Sequence, residues 1–149
     1  MRVILFLADA AQPEQATNKV HVLGAGWSVT GSPTPPMAVV ALIKVPWDQA
    51  NAQHTARLEL VDADGRPVTV QGPTGAQALS VDQVFEVGRP PGLPRGIEID
   101  HSICVNLGPG LPLQPGMSYQ WRLTMDGDED TAQVTTFFIR QQPTPPHQA

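Results

Sequence analysis

Apolar and polar residues alternate one by one along several segments of this chain, and this alternation predicts an antiparallel β protein. Between Ile97 and Leu107 the odd positions carry Ile, His, Val and Leu, whereas the even positions carry Glu, Asp, Ser, Cys and Asn. The odd positions from Tyr119 to Met125 repeat the pattern. Because successive side chains of a strand point to opposite faces, each segment has one face on a core and one face in water.

Proline and glycine separate the alternating segments from one another. The chain contains 16 prolines and 13 glycines, too many for a helical protein, and between apolar segments they indicate turns. No segment of a dozen residues keeps helical spacing, so we expect helix only as short turns, with 9–16 and 46–53 as candidates. The predicted strands are 2–8, 19–30, 37–45, 54–62, 67–71, 79–87, 97–107, 117–126 and 131–140.

These eight or nine short strands predict two packed antiparallel sheets, an immunoglobulin-like or jelly-roll-like sandwich without substantial helix. A partly closed barrel is the alternative, and the pattern does not distinguish the two. The length of 149 residues fits a single domain, which we place at 1–140. The proline-rich segment 141–149 is predicted to be a flexible tail.

Three local signals refine this prediction. The apolar positions of 19–30 change from even to odd across Gly24-Ala25-Gly26, which predicts a β-bulge there. Asp64-Gly65 predicts a hairpin turn into strand 67–71, which we interpret as an edge strand open to self-association. The acidic turn 126–130 lacks the glutamate that closes a helix-flanked calcium loop, so we interpret it as a solvated turn.

Composition and charge exclude several classes of function. The single cysteine, Cys104, excludes a disulfide within the chain and fits a reducing compartment. The net charge of −5, without a basic stripe, argues against nucleic-acid and membrane-surface binding. The apolar run at the N-terminus ends at Asp9, too early for a secretory signal or a membrane span. We therefore predict a cytoplasmic protein.

No catalytic constellation is recognisable. A nucleophile elbow, a complete dinucleotide-binding glycine pattern and a phosphate-binding loop are all missing from the sequence. His101 and Cys104 are three residues apart, so a strand places them on opposite faces and they do not share a metal ion. His101 lies on the apolar face, as a core or rim residue or, less favoured, in a pocket. Cys104 lies on the polar face, exposed or covered by a partner. We predict a protein that is not an enzyme and needs no cofactor or metal.

The signals for binding are more numerous. Residues 89–96 contain a Pro-x-x-Pro element between two arginines, which either presents a polyproline edge to a partner or crosses rigidly between sheets. Trp47 follows a strand and either fills the core, which we favour, or anchors a contact. Trp27 and Trp121 follow the apolar alternation and are predicted to be buried. The candidate binding residues are Trp47, Arg89, Pro91, Leu93, Pro94, Arg95 and His101.

Six segments of the chain have a distinctive sequence: Leu5-Phe6-Leu7-Ala8-Asp9-Ala10-Ala11-Gln12, Leu23-Gly24-Ala25-Gly26-Trp27, Pro35-Pro36-Met37, Val45-Pro46-Trp47-Asp48, 85–94 and 115–123. With these segments the chain resembles a family of small uncharacterised bacterial proteins that carry a domain of unknown function. The resemblance covers nearly all of 2–140, and it associates the family with actinobacteria and their viruses. It implies a complete β domain and supplies no catalytic residue or ligand.

The sequence thus predicts a non-enzymatic β-sandwich that acts through protein–protein contacts, as an accessory, adaptor or structural subunit in a cell or a virus. We expect a protein partner or self-association. The alternative is a sandwich that binds a small ligand or a carbohydrate. In that alternative Trp47 serves as a stacking platform beside His101 or the turn 126–130.

Overall fold

The computed structural model of this protein describes residues 1–142 and Pro146, and over this part the chain is all-β, without an α-helix. One short 3₁₀ helix, Trp47–Gln49, follows the fifth strand. The strands are β1 Arg2–Ala8, β2 Ala10–Glu14, β3 Lys19–Leu23, β4 Val29–Thr30, β5 Met37–Val45, β6 Gln53–Asp62, β7 Thr69–Gly72, β8 Gly75–Ala78, β9 Ser80–Glu86, β10 Ile99–Leu107, β11 Ser118–Met125 and β12 Asp128–Ile139.

The strands form several sheets. A three-stranded antiparallel sheet has the order β1-β5-β10, and a five-stranded sheet has the order β4-β12-β11-β6-β9. The short strand β4 runs parallel to the end of β12, whereas the other pairs are antiparallel. Two separate hairpins, β2-β3 and β7-β8, complete the architecture.

One continuous hydrophobic core joins the inner faces of the two larger sheets. The inward side chains of β5 pack with those of β6, β11 and β12. Trp121 has no exposed surface, which confirms the predicted burial. Trp27 is half-buried and meets Phe137 edge-to-face with the ring centroids 6.2 Å apart.

The predicted strand 19–30 is two strands rather than one strand with a bulge. Its first part pairs with β2 and its last two residues pair with β12. Between them Gly24 and Gly26 adopt φ angles of +66° and +91°, which glycine tolerates best. The amide of Gly26 donates to the Leu7 carbonyl oxygen at 2.9 Å. The two glycines therefore redirect the chain from one sheet to another, and the bulge prediction is wrong.

One of the two candidate helical turns is confirmed and the other needs correction. The segment 46–53 contains the short 3₁₀ turn before β6 begins. The segment 9–16 contains no helix, because it forms strand β2, whose backbone pairs with β3. Strand β8 has the sequence Gly-Ala-Gln-Ala, which has no alternation of large apolar residues and was therefore missed.

The acidic turn 126–130 closes a hairpin of β11 and β12, whereas the hairpin predicted at Asp64-Gly65 is reduced to a turn and one isolated bridge between Val61 and Pro67. Asp126 and Gly127 have φ angles of +52° and +71°, as in a two-residue type I′ turn. The Gly65 amide donates to the Asp62 carbonyl oxygen at 3.0 Å, after which the chain leaves β6 and pairs with β8 as β7. The predicted tail 141–149 lies outside the described residues apart from Gln141, Gln142 and Pro146.

Candidate functional site

One end of the molecule gathers the turn after β5 and the long connection from β9 to β10. The amide of Asn51 donates to the Val87 carbonyl oxygen at 2.8 Å, which fastens these two segments together. Every residue of 88–98 is exposed. We call residues 88–98 the proline loop.

Two predicted site residues, Trp47 and Arg89, are in direct contact at the base of the proline loop. The Nε and Nη2 atoms of Arg89 donate to the Trp47 carbonyl oxygen at 3.1 and 2.7 Å. The Arg89 guanidinium carbon also lies 4.8 Å from the centre of the Trp47 ring, within the range of a cation–π contact. Because Trp47 is half-buried and packs against the core, this contact anchors the start of the loop to the sheets.

The other loop candidates lie in solvent. Leu93 is 40% exposed, and Pro91, Pro94 and Arg95 are also exposed. Near the other end of the loop, Glu98 accepts from Arg2, with Nη2 2.8 Å from Oε1. The loop is therefore held near both ends while its middle is open.

His101 lies away from this cluster, at the rim of the core. Its ring stacks on Phe85 with the centroids 4.5 Å apart and the planes 11° from parallel. The stack links the edge strand β10 of one sheet to the edge strand β9 of the other. Burial lowers the pKa of His101, which keeps the imidazole neutral against the phenyl ring.

A histidine cluster beside β6 was not singled out from the sequence. His54 is buried, with Nδ1 2.8 Å from Asp126 Oδ2 and Nε2 2.8 Å from the Gln49 carbonyl oxygen. Burial acts to lower the pKa of His54, but the hydrogen bonds to Gln49 and Asp126 outweigh it and raise this pKa. Because the carbonyl and the carboxylate are both acceptors, the cluster favours the doubly protonated imidazolium.

The acidic turn is consequently more than a solvated tip. Asp126 also accepts from the Thr55 amide at 2.9 Å. Partial burial acts to raise the pKa of Asp126, but the hydrogen bonds from Thr55 and His54 outweigh it, so this pKa lies below its usual value. Within residues 1–142, no group of three His, Cys, Asp or Glu side chains is arranged to hold a metal ion.

The polar face of β10, predicted to face water, is covered by the β2-β3 hairpin. The Asn106 side chain accepts from the Ala11 amide at 3.2 Å and donates to the Ala11 carbonyl oxygen at 2.9 Å. The Ser102 hydroxyl donates to the Asn18 carbonyl oxygen at 2.7 Å, near the tip of the hairpin. Cys104 lies between them, half-buried, and burial raises the pKa of its thiol.

The fold and these clusters define an all-β protein with an anchored, exposed loop at one end. Residues 3–136 match the model of a family of unknown function (DUF6941), and the chain belongs to this family. This result confirms the resemblance to an uncharacterised family, while the association with actinobacteria stays a prediction. No match to the chain was found among curated proteins or solved structures. Over the described residues, none of the helical structure has the length and apolar character needed to cross a bilayer.

Proposed function

We propose that this protein is a non-enzymatic binding module that recognises a protein partner through the proline loop. The observation that carries the proposal is a run of eleven exposed residues, 88–98, held near both ends by Arg89 and Glu98. Within it Leu93 and Ile97 are 40% and 42% exposed, so two large apolar side chains are available for burial by a partner. An anchored loop loses little conformational entropy on docking, which favours binding.

We extend the proposal to the architecture and the location. The shared core between the two larger sheets supports a sandwich of the immunoglobulin-like or jelly-roll-like kind. The single cysteine supports a cytoplasmic location.

The absence of catalysis is also part of the proposal. A general base needs a free lone pair close to the substrate proton. Both ring nitrogens of His54, the buried histidine, are engaged by Asp126 and Gln49. The alternative of a carbohydrate platform on Trp47 is weakened, because Arg89 already occupies one face of the indole ring.

The test is a quantitative pull-down with the tagged full chain from cells that naturally produce it. The variant Leu93→Ser/Ile97→Ser removes the two exposed apolar side chains of the loop. Burial of a large aliphatic side chain stabilises an interface by about 1.5–3 kcal/mol, so we expect captured partner to fall at least tenfold. Val134→Ser is the matched control, because Val134 is 50% exposed on β12. Equal capture by the loop variant and the wild type rejects the proposal, and so does the failure of the wild type to capture a stoichiometric protein.

A further inference from the structure

The outer face of the three-stranded sheet is apolar over most of its length and ends in charges. The register of β1, β5 and β10 arranges its outward side chains in four rows. The first three rows are mainly apolar and the fourth is charged. The rows are Ala8, Ala38 and Asn106; Phe6, Val40 and Cys104; Ile4, Leu42 and Ser102; and Arg2, Lys44 and Asp100.

The β2-β3 hairpin covers the first two rows and reaches the third row at Ser102, on its β10 side. Ala8, Ala38 and Val40 are completely buried beneath it. In the third row Leu42 is only half-buried and Ile4 is 63% exposed. The hairpin is therefore too short to cover the whole outer face of the three-stranded sheet.

A cavity of about 560 Å³ lies where this cover stops, within the size range of small-molecule sites. Ile4 and Leu42 line it from the sheet, and Val20 and Val22 line it from the hairpin. This arrangement forms an apolar groove that is open at the fourth row.

The mouth of the groove carries positive charge, although the chain as a whole carries −5. Arg2, Lys19 and Lys44 line it together with one acid, Asp100. Arg2 is paired with Glu98, and Lys44 is paired with Asp100. Lys19 forms no ion pair within the described part of the chain, so its ammonium group is available to pair with an anionic group of a ligand.

We propose that this groove binds a free aliphatic carboxylate. The hydrocarbon chain packs between Ile4, Leu42 and Val20, and the carboxylate lies beside Lys19. The groove has an apolar interior and a cationic mouth. A fatty-acid-like molecule fits both, because its hydrocarbon chain lies in the interior and its carboxylate lies at the mouth. This site meets the proline loop at the Arg2–Glu98 ion pair, but the proposal does not rest on the function of that loop.

The experiment is isothermal titration calorimetry of the full chain with octanoate, decanoate and dodecanoate below their micelle concentrations. Each added methylene that becomes buried is expected to tighten binding by up to about fourfold. Dodecyltrimethylammonium has a similar hydrocarbon chain and the opposite charge, and we expect it to bind at least tenfold more weakly than dodecanoate.

Two variants locate the site. Ile4→Ser removes an apolar side chain that is already 63% exposed, so the fold is retained, and we expect dodecanoate affinity to fall at least fivefold. Lys19→Glu reverses the unpaired charge and is expected to weaken binding similarly. Arg66→Glu is the matched control for this charge reversal, because Arg66 is exposed and does not line the groove, and it should bind dodecanoate normally.

Three results overturn the proposal. The first is an affinity that does not depend on chain length or on head-group charge. The second is binding that Ile4→Ser leaves unchanged. The third is a dimer at micromolar concentration that Ile4→Ser dissociates while dodecanoate does not bind, since a second copy of the chain then covers the groove.

Discussion

At the scale of single residues, Asp126 has two roles at once. Its backbone occupies a left-handed position of the turn between β11 and β12, with φ +52°. Its carboxylate contacts the buried His54 and the Thr55 amide at the start of β6. Asp126, in the turn between β11 and β12, therefore holds both the His54 side chain and the Thr55 amide of the neighbouring strand β6.

Asp126→Asn separates the charge of this residue from its backbone conformation, because asparagine also tolerates the left-handed region. The raised pKa of His54 means that its stabilisation is complete below about pH 6.5 and is lost as pH rises through the folded-state pKa. The lowered pKa of Asp126 means that its stabilisation is present above about pH 3.9 and is lost as pH falls through the folded-state pKa. Between these limits we expect Asp126→Asn to reduce the free energy of unfolding by about 1 kcal/mol, since Asp126 is partly exposed.

The free energy of unfolding of this variant and of the wild type is measured in urea at pH 3, 5.5 and 8. We expect the difference between the two proteins to be largest at pH 5.5. Asp64→Asn is the control, because Asp64 also precedes a glycine in a hairpin turn and is exposed. A difference that is constant with pH, or largest at pH 8, contradicts the ionic assignment of the cluster.

At the scale of elements, the β2-β3 hairpin behaves as a cover that is tied to β10. Two hydrogen bonds between Asn106 and Ala11 and one between Ser102 and Asn18 fasten it. Beneath it the small side chains Ala8 and Ala38 are fully buried. Close approach of the hairpin backbone to the sheet needs such small residues.

Asn106→Ala removes the ties at the base of the cover and is expected to increase the reactivity of Cys104 severalfold. The thiol is half-buried beneath the hairpin, so lifting the hairpin both exposes it and lowers its raised pKa. Reaction with an aromatic disulfide at pH 8 measures the rate, and Gln83→Ala on β9 is a control with an exposed side chain. Unchanged reactivity would mean that Asn106 does not hold the hairpin down.

Apart from the two-residue β4, the strands of the larger sheets were predictable because each has a face in the core. The bounds of β1 and β5 are the predicted 2–8 and 37–45. The hairpin cover was not predictable, because Ala-Ala-Gln-Pro-Glu in β2 has no apolar alternation and its pairing depends on β3 and Asn106. The hydrogen bonds between Asn106 and Ala11 join residues 95 positions apart. The local pattern of apolar and polar residues does not indicate contacts over such a distance in the sequence. The Asp126–His54 cluster was missed for the same reason.

At the scale of the whole molecule, one aromatic stack connects edge strand β9 of the five-stranded sheet with edge strand β10 of the three-stranded sheet. Phe85 points inward from β9 and contacts both His101 and His54. It is 9% exposed, whereas its neighbour Val84 is 61% exposed. Phe85 is therefore the core residue that connects β9 to both histidines.

Phe85→Ala is expected to reduce the free energy of unfolding by about 3 kcal/mol, because it leaves a cavity and removes the stacking partner of His101. Val84→Ala, on the opposite face of the same strand, should change it by less than about 0.5 kcal/mol. Equilibrium unfolding in urea measures both variants. Similar losses in the two would show that β9 contributes through its backbone rather than through this ring.

The pairing of β4 with β12 determines when the five-stranded sheet can be completed during synthesis and folding of the chain. Val29 and Thr30 find their partners only at Phe138 and Ile139, more than a hundred residues later in the chain. A chain emerging from the ribosome can pair β1 with β5 early, because both strands lie within the first 45 residues. The five-stranded sheet has to wait for almost the whole of the sequence, and long-range pairing of this kind is slow because the entropy of loop closure is lost before any contact is gained. Until β11 and β12 are made, only β6 and β9 of the five-stranded sheet are available to cover the apolar inner face of the three-stranded sheet, so we expect part of that face to stay open to association during synthesis.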